Sequence, residues 1–375
     1  MRVGSLLREE GQISAWQAMN LIVALILPTA ILFLPTLIAM DARQDAWLSV
    51  VIAFGFGSVV AVLAARLAQR FPGETVIQFA PRLLGRIPGR IVGLVFIFYP
   101  FYITFVVQRE FGELMTGLFY DRTPLPVFII TLTLLAAYLV YKGLEVVARV
   151  NDMIMFIFLS TFVLFILLIA NAVRFEEFLP VLEFGPGPVL LGAIPPMAWF
   201  GEVLAIVMLV PFLAQKRQAV RAALGGLLIT FAALQIVVFG VTAVLGAQEV
   251  VRVPFASFFV VRRTEIAIFE IIQRQDAFFM MIWVGAMLMK LGAWFYLGVL
   301  ALSQWLALKT HRPVVFPVAA LLVTLSLVSW PNFSVFAAHA REAVPFVIGF
   351  VAYVVMPSLF VVASLRRRPE KLSRR

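Results

Sequence analysis

Ten times along this chain, a stretch of roughly twenty or more residues runs almost without charge. The stretches are 13–40, 45–69, 91–119, 124–142, 150–172, 188–213, 219–247, 276–308, 313–330 and 344–364. A helix of about 20 mostly apolar residues crosses a bilayer and satisfies its own backbone N–H and C=O groups, which lipid cannot do. The pattern therefore predicts an all-α integral membrane protein. The first stretch reads as a span and not as a cleavable signal peptide. It is too long, it carries Pro28 and Pro35, and no small-residue cleavage site follows. Composition agrees: 63% of the residues are hydrophobic and 13% are charged, against roughly 25% charged in soluble domains. A soluble enzyme and a disordered chain are both excluded. There is no cysteine, so thiol and disulfide chemistry is excluded as well.

The formal net charge of +10 would suggest nucleic acid in a soluble protein. Here its placement gives an orientation instead. With the N-terminus in the cytoplasm, twenty Lys and Arg fall on inner segments, eight fall on outer segments, and Arg109 and Lys290 lie within spans. The positive-inside tendency then puts both termini in the cytoplasm. The basic tail 365–375 reads as an inside anchor near anionic lipid, with no nucleic acid called for. Residues 70–90 suit a cytoplasmic interfacial helix. Residues 248–275, where Pro254, Phe255, Phe258, Phe259, Ile266, Phe269 and Ile272 interleave with Arg252, Arg262, Arg263 and Glu265, suit an outer loop of short amphipathic helices.

Ten spans divide into halves of five, 13–172 and 188–364. An odd number per half turns the second half upside down relative to the first, which is the arithmetic of an inverted repeat within one transmembrane domain. The first span of each half carries a helix break. Span one has Leu27-Pro28-Thr29-Ala30, then Pro35; span six has Trp199-Phe200-Gly201-Glu202, then Pro211. Proline removes a donor and glycine weakens a helix. At membrane depth the freed groups must face protein or a wet cavity. Paired breaks predict a midplane binding site in which backbone N–H groups near Leu27–Ala30 meet an anionic group.

Ionisable groups inside spans are functional candidates by default. Glu202, at the break in span six, is a candidate proton carrier or a partner for a substrate ammonium. Lys290, near the middle of span eight, is a candidate to stand in for a bound sodium ion or to pair with Glu202. Arg109 lies roughly 15 Å deep in span three, and Glu113, four residues on, predicts an intramembrane ion pair. Glu110 faces elsewhere and needs another partner or water. Tyr99, Tyr102, Trp283 and Tyr296 are candidate cavity-lining aromatics. His311 and His339 lie far apart in sequence, and no metal or cofactor is expected. The chain carries no P-loop, no Ser–His–Asp set and no His-Glu-x-x-His motif, so neither ATP-driven transport nor hydrolysis is expected.

The order of several short motifs resembles the spore-germination permease family, the B-type subunits of nutrient germinant receptors. These are Gly11-Gln12-Ile13-Ser14 with Gln17, Leu34-Pro35 with Asp45-Ala46-Trp47, and Phe71-Pro72-Gly73-Glu74-Thr75 with Gly85 and Gly89. The series continues with Leu179-Pro180-Val181, Phe200-Gly201-Glu202, Pro211-Phe212-Leu213, and Arg274-x-Asp276-Ala277 with Trp283 and Lys290. The resemblance runs from about residue 11 to 364. One departure is Pro28-Thr29, where related sequences tend to have glycine and threonine; proline offers no N–H there.

The resemblance implies the fold of the amino acid/polyamine/organocation transporters: ten spans in a five-plus-five inverted repeat with broken helices one and six. It implies a non-enzymatic sensor in the spore inner membrane that works with A-type and C-type subunits and recognises a small nutrient, often an amino acid. The expected substrate residues are Leu27, Pro28, Thr29, Ala30, Tyr102, Phe200, Gly201, Glu202 and Trp283, with Glu202 and Lys290 as proton- or ion-coupling groups. A proton-coupled amino-acid or amine transporter is the alternative.

Overall fold

The structure is a computed structural model that describes residues 11–366, apart from Pro254 and 264–274. Ile266, Phe269 and Ile272 of the outer loop, the leading Arg2 and Arg8, and residues 367–375 of the basic tail therefore lie outside the described residues.

The described chain is almost wholly helical. Span one is α1 (Ala15–Ala42) and span two is α2 (Ala46–Arg70), joined by a single turn over Arg43–Asp45. A short helix, α3 (Val76–Leu84), precedes span three, α4 (Arg86–Leu114). Spans four and five are α5 (Leu125–Lys142) and α6 (Leu144–Ile169). Span six is fragmented into α7 (Pro186–Gly192), α8 (Ile194–Gly201), a 3-10 turn over Glu202–Ala205, and α9 (Ile206–Leu209). Span seven is α10 (Ala219–Leu245), followed by the short α11 (Ala247–Arg252) and α12 (Ala256–Arg263). Span eight is α13 (Gln275–Trp305), span nine α14 (Arg312–Val328), and span ten α15 (Phe333–Phe350) continued through a π turn into α16 (Met356–Leu365). By length and composition, eight helical stretches can cross a membrane; the first of them, Ala15–Arg70, holds both α1 and α2, and the 17-residue α14 is shorter. Together these correspond to the ten stretches expected, and the protein is a multi-pass membrane protein.

The packing repeats about the expected twofold relation. Helix α1 lies on α10 as the pieces of span six lie on α2, α6 packs on α1 as α15 packs on α8, and α5 packs on α13 as α14 packs on α4. Close approach at the first of these pairs depends on glycine. A Cβ on Gly226 would meet the Met19 carbonyl oxygen at 2.6 Å, and one on Gly57 would meet Phe200 Cβ at 2.7 Å. Each half thus lends a glycine to the helix that packs on the other half's first span.

Both ends of the bundle are covered. At one end, here the α3 end, Ser14 caps α1 in a reciprocal pair with Gln17. The residue before it, Ile13, is fully buried and bonds along the chain at Phe212–Ala214, with Ile13 N donating to Phe212 O at 2.9 Å and Ala214 N to Ile13 O at 3.0 Å. The opening motif and Pro211-Phe212-Leu213 are therefore one joint. The amphipathic stretch 70–90 forms α3, which buries Val76, Ile77, Phe79, Ala80 and Leu83. At the other end, here the α12 end, α12 buries Phe258, Val260 and Val261 and packs on α1, α10 and α13. The Asp45 carboxylate there accepts from Leu182 N at 3.1 and 3.0 Å, which docks the chain entering span six onto the turn between α1 and α2.

Arg109 is buried near the end of α4 and is tied on both sides. Its Nε donates to Glu113 Oε1 at 2.7 Å, and its Nη1 donates to Ser326 O at 3.2 Å and Leu327 O at 3.4 Å. The last carbonyls of a helix lack intrahelical partners, so Arg109 caps α14 from α4. The pair expected with Glu113 is present, and its setting is structural.

Two stability outcomes follow. Gly226→Ala places a methyl group against backbone and should cost about 1–3 kcal/mol, whereas Gly55→Ala, with nothing within 4 Å of the added Cβ, should be near neutral. Arg109→Met strands Glu113 and two carbonyls and should cost about 3 kcal/mol, part of which the double variant with Glu113→Leu regains. Thermal unfolding of the purified protein in detergent checks both.

Candidate ligand site

The two breaks meet at the centre of the bundle, and each takes a different form. Span six is discontinuous, and the 3-10 turn begins at Glu202. Span one is milder: α1 runs from Ala15 to Ala42 without a gap, with Pro28 and Pro35 inside it. Proline interrupts the ladder by removing one N–H and pushing away the carbonyls a turn before it. What α1 exposes is therefore carbonyl oxygen. This corrects the expectation that backbone N–H groups near Leu27–Ala30 would face a ligand carboxylate, because those N–H groups stay within the helix.

Side chains from other spans take up the released carbonyls. Lys290 Nζ on α13 and Trp294 Nε1, the latter at 3.4 Å, both donate to Leu25 O, three residues before Pro28. Trp283 Nε1 donates to Pro28 O at 2.8 Å. Ser257 Oγ on α12 donates to Ile31 O at 2.7 Å, four residues before Pro35, where the missing N–H would have bonded. One side-chain link joins the two breaks: Trp199 Nε1 donates to Thr29 Oγ1 at 3.0 Å.

Lys290 also donates to Glu202 Oε2 at 2.9 Å, and the two side chains are only 1% and 2% exposed. The ammonium thus lies between a carboxylate on span six and a carbonyl on span one. Glu110, on α4, is 4% exposed. It lies within electrostatic reach of both Lys290 and Glu202. Tyr99 packs its ring edge-on against Trp294 at 5.2 Å, and its buried hydroxyl has no hydrogen-bond partner. Next to this cluster on the α3-end side lies a small apolar cavity whose lining includes Leu21, Leu25, Val147, Leu209, Ala293 and Tyr296.

The residues expected in the site divide accordingly. Thr29, Pro28, Trp283, Glu202 and Lys290 are brought together. Leu27 and Ala30 are fully buried in α1. Phe200 turns toward span two, edge-on to Phe54 at 6.4 Å. Gly201 faces span ten, where a Cβ would meet Ala352 Cβ at 2.7 Å; its role there is close packing. Tyr102 bonds His339 Nε2 through its hydroxyl at 2.9 Å, in an aromatic group with Phe105 and Trp330. The expected list omitted Leu25, Trp199 and Trp294. The proline rule offered the signal for Leu25, since the carbonyls released by Pro28 lie three and four residues upstream. Nothing in the linear sequence pairs Trp199 with Thr29.

The whole chain has relatives of known kind. The sequence profile of the spore germination protein family matches residues 12–334. Spore germination protein KB of Bacillus subtilis (strain 168) is 24% identical over 371 residues, 98% of each chain. Spore germination protein YndE of the same organism is 26% identical over 78% of this chain and 81% of its own. Among solved structures, MhsT in complex with L-phenylalanine superposes with a TM-score of 0.68 at 15% identity, over 96% of this chain and 90% of that one. Mhp1, a nucleobase-cation-symport-1 family transporter in a closed conformation, gives a TM-score of 0.65 at 15% identity, over 97% and 83%. The fold is thus that of these transporters, with two inverted halves, and the chain belongs to the spore germination protein family.

Proposed function

We propose that the chain is the membrane-embedded sensor subunit of a nutrient germinant receptor and that it holds a small amino acid beside the Glu202–Lys290 pair. The observation that carries this reading is the pair itself: opposite charges at membrane depth, where spans one, six and eight meet and carbonyls of span one are turned inward. On this reading the chain sits in the spore inner membrane with A-type and C-type subunits as partners, a setting in keeping with its family. The charge asymmetry supports both termini in the cytoplasm, with the α3 end inward.

Sensing requires two conformations that the ligand binds unequally, since a ligand with equal affinity for both shifts nothing. Groups able to report such a difference are present. The joint between Ile13 and Phe212–Ala214 closes one end, and α12 closes the other through Ser257. A ligand that separates Lys290 from Glu202 moves spans six and eight relative to span one, and both closures are attached to those spans or their neighbours.

A proton-coupled amino-acid or amine transporter is the competing reading, favoured by the similarity of fold to Mhp1, a nucleobase-cation-symport-1 family transporter. One experiment separates them. Purified protein in liposomes, given radiolabelled amino acids, should show saturable binding without accumulation. Uptake driven by a pH gradient would overturn the sensor and establish the transporter.

A further inference from the structure

The Glu202–Lys290 pair has the charge pattern of the ligand proposed for it. It consists of one carboxylate and one ammonium, joined at 2.9 Å and sealed from water. We propose that an amino acid with an apolar side chain binds by exchange with this pair: its carboxylate takes Lys290, its ammonium takes Glu202, and its side chain enters the adjoining cavity. The proposal rests on the amino-acid reading above and names how that site selects.

The argument is one of charge balance in a low-dielectric place. A charge left unpaired at membrane depth is costly, whereas two pairs made from one pair and one zwitterion leave nothing unpaired. An amine that lacks the carboxylate pairs with Glu202 and abandons Lys290. An acid that lacks the ammonium does the reverse. Either one leaves a buried charge without a partner, so both should bind on the order of a hundredfold or more weaker than the zwitterion.

The side-chain preference comes from the cavity. Leu25, whose carbonyl holds Lys290, and Ala293, one helical turn beyond Lys290 on α13, both line it. Val147, Leu209 and Tyr296 complete an apolar wall on the α3-end side. A charged ligand side chain has no partner there.

Exchange also explains how occupancy is felt at a distance. In the present arrangement one ammonium cross-links three spans, through Glu202 to span six and through Leu25 to span one. Inserting a ligand between Lys290 and Glu202 moves them apart and draws Lys290 from the Leu25 carbonyl.

The test is a reversal of preference. Protein in lipid nanodiscs is titrated with each of the twenty amino acids, and any that binds is compared with its decarboxylated amine and its des-amino acid. The wild type should rank the amino acid first by on the order of a hundredfold. Lys290→Met should move preference toward the amine, and Glu202→Gln should move it toward the acid. The reversed pair, Glu202→Lys with Lys290→Glu, restores a neutral site and should again place the amino acid first, which keeps the test available if either single variant fails to fold. Unchanged ranking in the variants, or a reversed pair that binds amine or acid as tightly as the amino acid, overturns exchange while leaving amino-acid binding intact. Preference for amino acids with charged side chains overturns the role of the cavity. A wild type that binds none of the twenty overturns both this inference and the reading it rests on.

Discussion

A lysine at membrane depth must find an acceptor within the protein, and much of the centre of this molecule is arranged around that requirement. An ionised group alone at the bilayer midplane costs about 2.5–3.5 kcal/mol even on permissive scales. Lys290 answers with Glu202 and Leu25 O, and so draws together spans eight, six and one. Replacing such a pair with apolar side chains is often neutral or even stabilising, whereas removing one partner costs about 3–5 kcal/mol. Stability alone therefore gives no reason to keep the pair. Its presence where a proline-bearing helix meets a fragmented one is better explained by what it can exchange for.

The rest of the architecture brings those groups to one place. Close contacts at Gly226 and Gly57 let the first span of each half lie against a helix of the other half, so that the breaks face one another across the midplane. Tryptophans finish the arrangement: Trp294 donates to Leu25 O in the turn before Pro28, Trp283 to the carbonyl of Pro28 itself, and Trp199 reaches Thr29. Each is a large apolar body with a single donor, which suits a site that must satisfy an exposed carbonyl without admitting water. The Tyr99 hydroxyl is the exception beside the pair, a buried polar group without a hydrogen-bond partner among the described residues.

Much of this was legible in the sequence because membrane depth makes charge rare. With so few ionisable residues inside spans, Glu202, Lys290, Arg109 and Glu113 stood out one by one, and both pairs form. The ten spans and the twofold relation followed from hydropathy and parity. The direction of polarity at the first break was misread. A proline suggests an opened helix with free N–H groups, yet α1 stays continuous and frees carbonyls, because proline's own missing donor is the first thing lost. Phe200 and Gly201 are expected at the ligand because they form the break in span six with Glu202. In a helix, neighbours point in different directions, and these two face spans two and ten. Trp199 and Trp294 depend on contacts between distant segments, which no local spacing encodes.

The central claim is that Glu202 and Lys290 act as one unit at the midplane. The most direct measurement is a double-mutant cycle on unfolding stability with Glu202→Gln, Lys290→Met and the two combined. Each single variant should lose stability, and the combined variant should recover much of the loss, for a coupling of about 3 kcal/mol. Losses that simply add, with coupling below about 0.5 kcal/mol, would show that the two charges are independent and contradict the account.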